Sequence, residues 1–399
     1  MSKTISLKKV AKYSDARIPI KNVTIDNFVT TDNLLQNKLG ITKATSLPPQ
    51  DGNMPAYFKN NILIGNIRPY LKKIWFADKD GGNSADVLTI KVNEKHNPKF
   101  IYYALYRDDF FEHMMKGSKG TKMPRGDKNQ IMDFSIPDIS LESEEKIANV
   151  LSSLDSKIEL NNKINKELET MAKTLYDYWF VQFDFPNENG KPYKSSGGKM
   201  VYNQELKREI PEGWEVDSLW NIATYFNGLA MQKHRPKNDN KLRVIKIKEM
   251  NEGFGDYTEY AKADVQKEAI INNGDILFSW SASLDVIIWA KGIGALNQHI
   301  FKVTSKKYPR SFYYYELINY LKHFKMMADL RKTTMGHITQ EHLKQSKIVI
   351  PPIDLIMVLD SKINVFIEKQ ILLQQQNQEL AKLRDWLLPM LMNGQVRVK

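Results

Sequence analysis

The chain of 399 residues contains no cysteine. This absence excludes disulfides, thiolate metal sites and cysteine nucleophiles, and it fits a reducing compartment. Every apolar run falls short of the ~18 residues that a membrane-spanning helix needs, and the first residues lack the apolar core of a signal peptide. We therefore expect a cytoplasmic protein that has no membrane partner.

Recognisable catalytic motifs are also missing. The chain has no P-loop, no glycine-rich dinucleotide fingerprint after a strand and no Asn/Asp-Pro-Pro-Tyr segment, which is usual in amino-methylating enzymes. Its 7 histidines are scattered, and His337 and His342 are spaced too widely for a helical zinc pair. We therefore predict a chain without catalytic residues, without metal ligands and without a cofactor of its own.

Positive charge is in excess and unevenly placed. Lysine and arginine number 58 against 46 acidic residues, which gives a net charge of +12. Residues 1–140 carry +8 and residues 211–350 carry +5, whereas residues 141–210 carry −2 and residues 351–399 carry +1. Two separate basic blocks favour a polyanionic partner such as nucleic acid, although a charge of this size can also simply keep a protein in solution.

An internal repeat underlies the two blocks. The pentapeptide Leu-Asp-Ser-Lys-Ile occurs at residues 154–158 and again at residues 359–363, an offset of 205. Upstream, three dipeptides recur at an offset of 214: Ile62-Leu63 with Ile276-Leu277, Ile74-Trp75 with Ile288-Trp289, and Ile136-Pro137 with Ile350-Pro351. The repeat predicts two copies of one structural plan, and the change of offset predicts that the second copy lacks nine residues just after its Ile-Pro.

Each Ile-Pro is followed by a long segment with helical periodicity. From Ile147 to Trp179, ten positions spaced alternately by four and three hold eight apolar residues. A second seam of the same kind starts at Leu359 and shifts phase before Leu383. Such spacing, sustained over several turns, is typical of a coiled coil.

Two seams in one chain predict that the helices pair with each other, and a pseudo-twofold repeat makes the pair antiparallel. In that arrangement the polar residues Asn161 and Asn165 lie near Gln370 and Gln374. A polar layer of this kind fixes the register of a coiled coil at some cost in stability. The alternative is that these four side chains lie beside the seam and are solvated.

Inside the basic blocks, short runs of β-branched and aromatic residues predict strands, and longer polar-apolar runs predict helices. The expected fold class is α+β, with two mixed α/β domains joined by two long antiparallel coiled-coil helices in a pseudo-twofold arrangement. The expected boundaries are residues 1–140 for the first domain, 141–183 for the first helical region, 184–210 for a linker rich in Gly, Pro, Asn and Ser, 211–350 for the second domain, 351–393 for the second helical region and 394–399 for a tail.

Loop-like basic segments in both blocks supply candidates for DNA contacts. Arg or Lys can read guanine, Asn or Gln can read adenine, and basic side chains also bind phosphate. In the first domain the candidates are Arg68, Asn83, Lys119, Lys122 and Arg125. In the second domain they are Lys233, Arg235, Gln298, Lys332, Thr333 and His337. A plain surface role is the alternative for each of them.

Several segments of the helical regions and the linker are specific in combination. They are Lys146–Ile158, Leu175–Phe180, Phe185–Met200, Ile210–Trp214 and Leu383–Leu391. With these segments the chain resembles, over its whole length, the specificity subunit of type I restriction-modification enzymes.

This resemblance implies two target-recognition domains, each of which reads one half of a bipartite site in double-stranded DNA. It implies that the helices set the spacer between the halves and bind two modification (methyltransferase) subunits, which hold S-adenosylmethionine and methylate adenine. Restriction (motor and nuclease) subunits add cleavage that uses ATP and Mg²⁺, as a defence against foreign DNA. The chain itself is then non-catalytic.

One departure from the family pattern lies after Ile350-Pro351-Pro352, where nine residues are missing and the family often has a Glu-Gln-Lys-Lys-Ile-type helix start. We expect either a later start of the second helix or a weaker contact with one modification subunit. Neither outcome changes the family that the chain resembles.

Two other functions remain open. The first is an autonomous DNA-processing enzyme with an unrecognised site, which would cut or methylate DNA without partners. The second is a coiled-coil scaffold protein whose charge is incidental, and a steep loss of DNA affinity with added salt would argue against it.

Overall fold

The computed structural model describes residues 3–49, 51–120, 122–330 and 337–398. Its α-helices are α1 (Leu7–Val10), α2 (Pro98–Tyr106), α3 (Asp108–Lys116), α4 (Lys128–Met132), α5 (Leu141–Tyr176), α6 (Leu219–Ile222), α7 (Ile247–Glu252), α8 (Arg310–Leu330), α9 (Gln340–Gln345) and α10 (Ile353–Met392). Its strands are β1 (Thr4–Ser6), β2 (Ala11–Tyr13), β3 (Arg17–Pro19), β4 (Phe28–Val29), β5 (Asn53–Tyr57), β6 (Ile62–Gly65), β7 (Ile74–Phe76), β8 (Gly81–Asn83), β9 (Val87–Val92), β10 (Ser135–Pro137), β11 (Met200–Asn203), β12 (Arg208–Pro211), β13 (Glu215–Ser218), β14 (Thr224–Asn227), β15 (Lys241–Ile245), β16 (Tyr260–Lys262), β17 (Ile270–Ile271), β18 (Ile276–Ser279), β19 (Asp285–Ile288), β20 (Gly294–Leu296), β21 (Ile300–Thr304) and β22 (Lys347–Ile350).

The chain divides into two compact units. The first unit consists of residues 1–157 and 380–399, and the second consists of residues 158–379. Each unit therefore contains one basic block together with a part of both long helices. The boundaries expected from the sequence treat the helices as separate regions, and they stay a prediction.

The first unit is built around two four-stranded sheets. One is antiparallel, with the order β2-β9-β6-β7, and the other is mixed, with the order β3-β5-β8-β4. All four residues of the central strand β6 are buried. Because alternate side chains point to opposite faces of a sheet, Ile62 and Ile64 pack in the main core with Phe100 of α2, while Leu63 packs in a smaller cluster.

The second unit repeats this plan. Its antiparallel sheet has the order β14-β21-β18-β19, and its mixed sheet has the order β16-β15-β20-β17. The central strand β18 is likewise buried throughout, with Ile276 and Phe278 in the main core and Leu277 in a smaller cluster. Helix α8 adds buried aromatic residues to the main core, among them Phe312 and Tyr315.

Strand pairing shows where the two copies correspond. Ile62 of β6 pairs with Phe76, and Ile276 of β18 pairs with Ile288. Phe76 is therefore the counterpart of Ile288, and the predicted match of Ile74 with Ile288 is wrong by two residues. The reason is a shorter connection between these strands in the second copy, which changes the offset locally.

The two long helices begin soon after their Ile-Pro motifs. Helix α5 begins at Leu141, closely after Pro137, and continues into a π-helical turn at Asp177–Val181. Helix α10 begins at Ile353, immediately beyond the second Ile-Pro. The expectation of a late start for the second helix is therefore wrong, because the missing residues shorten the part of the helix that precedes the repeated pentapeptide.

Within the second unit, α5 and α10 run antiparallel. Asn161 donates from Nδ2 to Oδ1 of Asn377 at 2.9 Å, and Gln370 donates from Nε2 to the carbonyl oxygen of Asn165 at 3.1 Å. Asn161 is fully buried, which excludes the solvated alternative for this residue. The contact of Asn165 with Gln370 is confirmed, whereas Asn161 meets Asn377 and not Gln374, because side-chain packing sets the register and the helix midpoints do not.

Candidate nucleic-acid interface

In the first unit, a basic loop after α3 is attached to the end of β6. A backbone bridge joins Arg125 to Lys119, and the amide of Arg68 donates to the carbonyl oxygen of Pro124 at 2.7 Å. The glycines and proline of the loop leave its backbone groups free of helical bonds and able to make these contacts. The structure thereby brings three predicted residues next to one another, and Lys122 is exposed in the same loop.

The charges of this loop are only loosely compensated. Nη2 of Arg125 lies 3.0 Å from Oδ1 of Asp86, and Nζ of Lys119 lies 3.6 Å from Oδ2 of Asp127. Asp127 also accepts backbone hydrogen bonds at the start of α4, which lower its pKa. The side chains of Arg125 and Lys119 are 59% and 86% exposed, so an exchange of carboxylate for DNA phosphate costs little free energy.

Arg68 is held in an unusual backbone conformation. Its φ of 51° and ψ of 65° lie in the left-handed region, where residues other than glycine are uncommon. The side chain is exposed, and it forms no salt bridge within the described part of the chain. An arginine on a fixed backbone with a free guanidinium is suited to a bidentate contact with phosphate or guanine.

Asn83 does not lie at this surface. The residue is fully buried, and its Nδ2 donates to the carbonyl oxygens of Ser84 at 3.0 Å and Val87 at 2.8 Å. Its Oδ1 accepts from the hydroxyl of Thr89 at 3.0 Å. The amide is thus used inside the sheet, and this placement argues against the predicted base contact by Asn83.

In the second unit, Trp280 follows β18 and organises a group of rings. Its amide donates to the carbonyl oxygen of His299 at 3.2 Å, and the amide of Ile338 donates to its carbonyl oxygen at 2.9 Å. The Trp280 ring centroid lies 5.2 Å from that of His299 and 5.6 Å from that of His337. Of the predicted residues, His337 therefore belongs to a defined cluster.

The same two backbone hydrogen bonds occur in the first unit. The amide of Asn66 donates to the carbonyl oxygen of Asp86 at 2.9 Å, and the amide of Gly126 donates to that of Asn66 at 3.1 Å. Asn66 follows β6 as Trp280 follows β18. His299 therefore occupies the backbone position of Asp86, and His337 occupies that of Arg125. Asp86 and Arg125 form an ion pair in the first unit.

The other candidates of the second domain are more dispersed. Lys233 and Arg235 are exposed on the loop between β14 and β15, and Gln298 is half-buried in the connection between β20 and β21. Lys332 and Thr333 lie outside the described residues. Among the described residues, none of Lys233, Arg235 and Gln298 forms a hydrogen bond, ion pair or ring contact with His337, so their grouping stays a prediction.

Sequence reasoning missed three residues of the cluster around Trp280. They are Trp280, His299 and Asn227, whose Oδ1 accepts from the indole Nε1 of Trp280 at 2.9 Å. The offset of 214 aligns Trp280 with Asn66 at the end of β6, and this alignment is the signal that could have identified it. The partnership with Asn227 has no sequence signal, because it joins two strand ends far apart in the chain.

The described residues offer neither a metal site nor a membrane span. Those residues contain no group of three or more His, Cys, Asp or Glu side chains that could hold a metal ion. The helices in the described ranges include none that is long and apolar enough to cross a membrane.

The long helices expose apolar side chains. On α10 in the second unit, Val358, Val365 and Leu372 are exposed at intervals of seven residues, which places them on one face of the helix. In the first unit, Leu383 and Trp386 of the same helix are exposed. Exposed apolar side chains that share one face of a helix are candidates for a docking site for another protein.

Comparison with known proteins gives one consistent result. Residues 2–170 and 211–382 match a family model described as the type I restriction modification DNA specificity domain. The chain is 28% identical to the specificity subunit of the type I restriction enzyme MjaIX of Methanocaldococcus jannaschii, over 75% of this chain and 69% of the relative. It is 24% identical to the specificity subunit of the enzyme HindI of Haemophilus influenzae, over 92% and 94%. Its fold is similar to the solved type I restriction-modification S subunit of M. genitalium, with a TM-score of 0.58, 14% identity and coverage of 98% and 96%.

Proposed function

Because this chain belongs to the type I restriction-modification DNA specificity family, we propose that its two units each read one half of a bipartite site in double-stranded DNA. The predicted identity as a specificity subunit is confirmed, and so is the prediction that the chain is not itself the enzyme. As a specificity subunit it acts with DNA and with other subunits of a restriction-modification system. The autonomous enzyme and the scaffold have no support from the family or the relatives.

One observation carries the proposal of two half-sites. The backbone bonds around Asn66 recur around Trp280, but the side chains that they present differ in size, charge and hydrogen-bonding groups. A repeated frame with different side chains is what two readers of different sequences require, since sequence is read by side chains on base edges.

Phosphate and base contacts are assigned to those predicted basic and polar residues of each unit that are exposed or half-buried. In the first unit they are Arg68, Lys119, Lys122 and Arg125. In the second unit they are Lys233, Arg235, Gln298 and His337. Because phosphate contacts release counterions, this assignment predicts affinity that falls steeply with salt.

The helices set the spacer and dock two modification subunits in this proposal. The exposed face formed by Val358, Val365 and Leu372 supports docking in the second unit, and Trp386 supports it in the first. Two docking positions fit a chain with two copies of one plan, each with its own helix segments.

The chemistry of the assembly is assigned to the partner subunits. Modification subunits hold S-adenosylmethionine and methylate adenine, and restriction subunits use ATP and Mg²⁺ to cleave unmodified DNA. The assembly works in the cytoplasm, where chromosomal and foreign DNA are both accessible. What supports this division is the family assignment of the chain.

The test is a domain exchange in the complex of this chain with its modification subunits. Residues 1–135 are replaced by the corresponding block of another specificity subunit, and methylated adenines are mapped on genomic DNA. We expect one half of the methylated motif to change while the other half and the spacer stay the same. A motif that changes in both halves, or in neither, contradicts the proposal.

A further inference from the structure

We propose that Trp280, flanked by His299 and His337, is the base-recognition centre of the second unit, and that it reads a base with acceptor groups in the major groove. This inference rests on the proposed reading of half-sites, and it adds the residues and the class of base. The residues stand where the first unit has an ion pair between loops, so the same backbone frame presents a different chemistry.

The indole ring of Trp280 is held in one orientation. Its backbone amide and carbonyl are both bonded, and its Nε1 donates to Oδ1 of Asn227 at 2.9 Å. One side of the ring packs towards Phe301, with 5.8 Å between the centroids, and the residue remains partly exposed. A ring with a fixed position and partial exposure is preorganised for contact, because little conformational entropy remains to be lost.

His299 carries two features that are unfavourable for folding. Its φ of 81° is in the region that glycine occupies most readily. Its Nδ1 is buried and has no hydrogen-bond partner in the described structure. A glycine would relieve both, so the presence of histidine indicates a role for the ring, as strained and unpaired groups gather at functional sites.

The polar groups of this cluster are donors more than acceptors. The Oδ1 of Asn227 is already used by the indole, which leaves its amino group to donate. His337 is exposed, and His299 replaces the carboxylate that the first unit has at Asp86. Donors fit O6 and N7 of guanine or O4 of thymine, and an indole edge fits the thymine methyl.

The experiment uses the complex of the full chain with its modification subunits and duplexes that carry each base at every position of the second half-site. His337→Ala removes an exposed ring, and Trp280→Phe removes the indole N–H but keeps an aromatic ring. We expect each variant to lose selectivity on the order of tenfold at one position of that half-site. Selectivity in the first half-site should not change.

A matched pair of glycine variants separates base reading from backbone strain. His299→Gly and Ala282→Gly both relax a residue with positive φ, at 81° and 57°, but Ala282 is exposed and has no ring. We expect both variants to fold at least as stably as the parent chain by urea unfolding. Only His299→Gly should lose selectivity in the second half-site.

Modified bases then identify the base that is read. If it is guanine, 7-deazaguanine at that position should reduce binding to the parent chain and leave binding to His337→Ala unchanged. If it is thymine, uracil at that position should reduce binding to the parent chain and leave binding to Trp280→Phe unchanged.

Each outcome bears on one of the two claims. Unchanged selectivity in all three variants at Trp280, His299 and His337 would overturn this inference, and so would an equal loss of affinity for every sequence, which marks a phosphate contact. A parent complex that shows no bipartite preference would contradict the proposed function itself.

Discussion

The two units differ most where they share the same backbone. In the first unit, the two backbone hydrogen bonds of Asn66 at the end of β6 position the exposed ion pair of Arg125 and Asp86. In the second unit, the corresponding frame presents Trp280 between two histidine rings. These backbone hydrogen bonds are therefore the constant part of the two units, and the side chains that they present can differ without loss of the fold.

The mixed sheets show the same separation of constant and variable parts. In the first unit the strands β5-β8-β4 are extended by β3 beside β5, and in the second unit β17-β20-β15 are extended by β16 beside β15. In each unit these three shared strands form one parallel and one antiparallel pair. The units therefore vary at the sheet edges, where an added strand does not disturb the core.

A third difference concerns how the ends of the long helices are anchored. In the second unit, Tyr176 near the end of α5 donates from its hydroxyl to Glu316 of α8 at 2.7 Å. In the first unit, Arg384 near the end of α10 binds Asp155 at 2.8 Å, and Asp155 also accepts from the hydroxyl of Tyr103 at 2.6 Å. One anchor is buried and the other is a partly exposed ion pair, so they should respond differently to pH.

The largest expected effect is a pH dependence that only the buried anchor produces. Burial raises the pKa of Glu316 from its ordinary value of 4.5 to about 7. Between these pH values the folded state binds more protons than the unfolded state. The contribution of Glu316 to the free energy of unfolding is therefore complete below pH 4.5, and about 3 kcal/mol of it is lost as the pH rises to 7. Urea unfolding at several pH values measures this loss. Glu316→Gln should remove it, and an identical pH profile in that variant would contradict the assignment.

The exposed anchor should show a smaller effect that is present at neutral pH. Arg384→Ala leaves Asp155 without its cation, and because Asp155 is 32% exposed we expect a loss of about 2 kcal/mol and not the full cost of a buried charge. Chemical denaturation of the variant measures the loss. The control is Arg397→Ala, which removes an exposed arginine of the same unit and should leave stability unchanged. Equal stability of the two variants would show that the anchor contributes nothing.

The smallest effect on folding should come from the exposed ion pair of the first unit, which we propose contacts DNA. Arg125→Ala breaks an exposed contact with Asp86, so we expect a change in the free energy of unfolding of less than about 0.5 kcal/mol. Its effect on DNA affinity should be larger and should shrink as salt is added. A loss of stability comparable to that of Arg384→Ala would mean that this pair holds the loop and does not serve the DNA.

Much of the architecture could be predicted from the sequence because it depends on periodicity. The seven-residue spacing predicted two long helices, and the repeated pentapeptide predicted two copies. Even there the seam drifts. Strict heptad spacing from Leu359 and Ile363 leads to Phe366 and Gln370, which are only partly buried, whereas Ile367 and Ile371 are buried. A seam of straight helices follows 3.6 residues per turn and departs gradually from a strict heptad.

The candidate site was less predictable because it depends on contacts between distant parts of the chain. Asn83 was chosen by residue type, and nothing in its local sequence shows that Thr89 and Val87 use its amide inside the sheet. Trp280 was overlooked because an aromatic residue after a strand is usually core. Its contact with the ring of His337 joins segments far apart in the chain, and only the fold brings these segments together.

The central proposal is that the paired helices set the spacer between the two half-sites, and lengthening both helices tests it. Seven residues are inserted into α5 after Glu167 and seven into α10 before Glu368, near the contact of Asn165 with Gln370, so that one heptad is added to each helix and the seam is kept. The insertion lengthens the pair by about 10 Å, or about three base pairs of DNA. Mapping of methylated adenines in the assembled complex should then show both half-sites unchanged and a spacer about three base pairs longer. An unchanged spacer, or altered half-sites, would contradict the account.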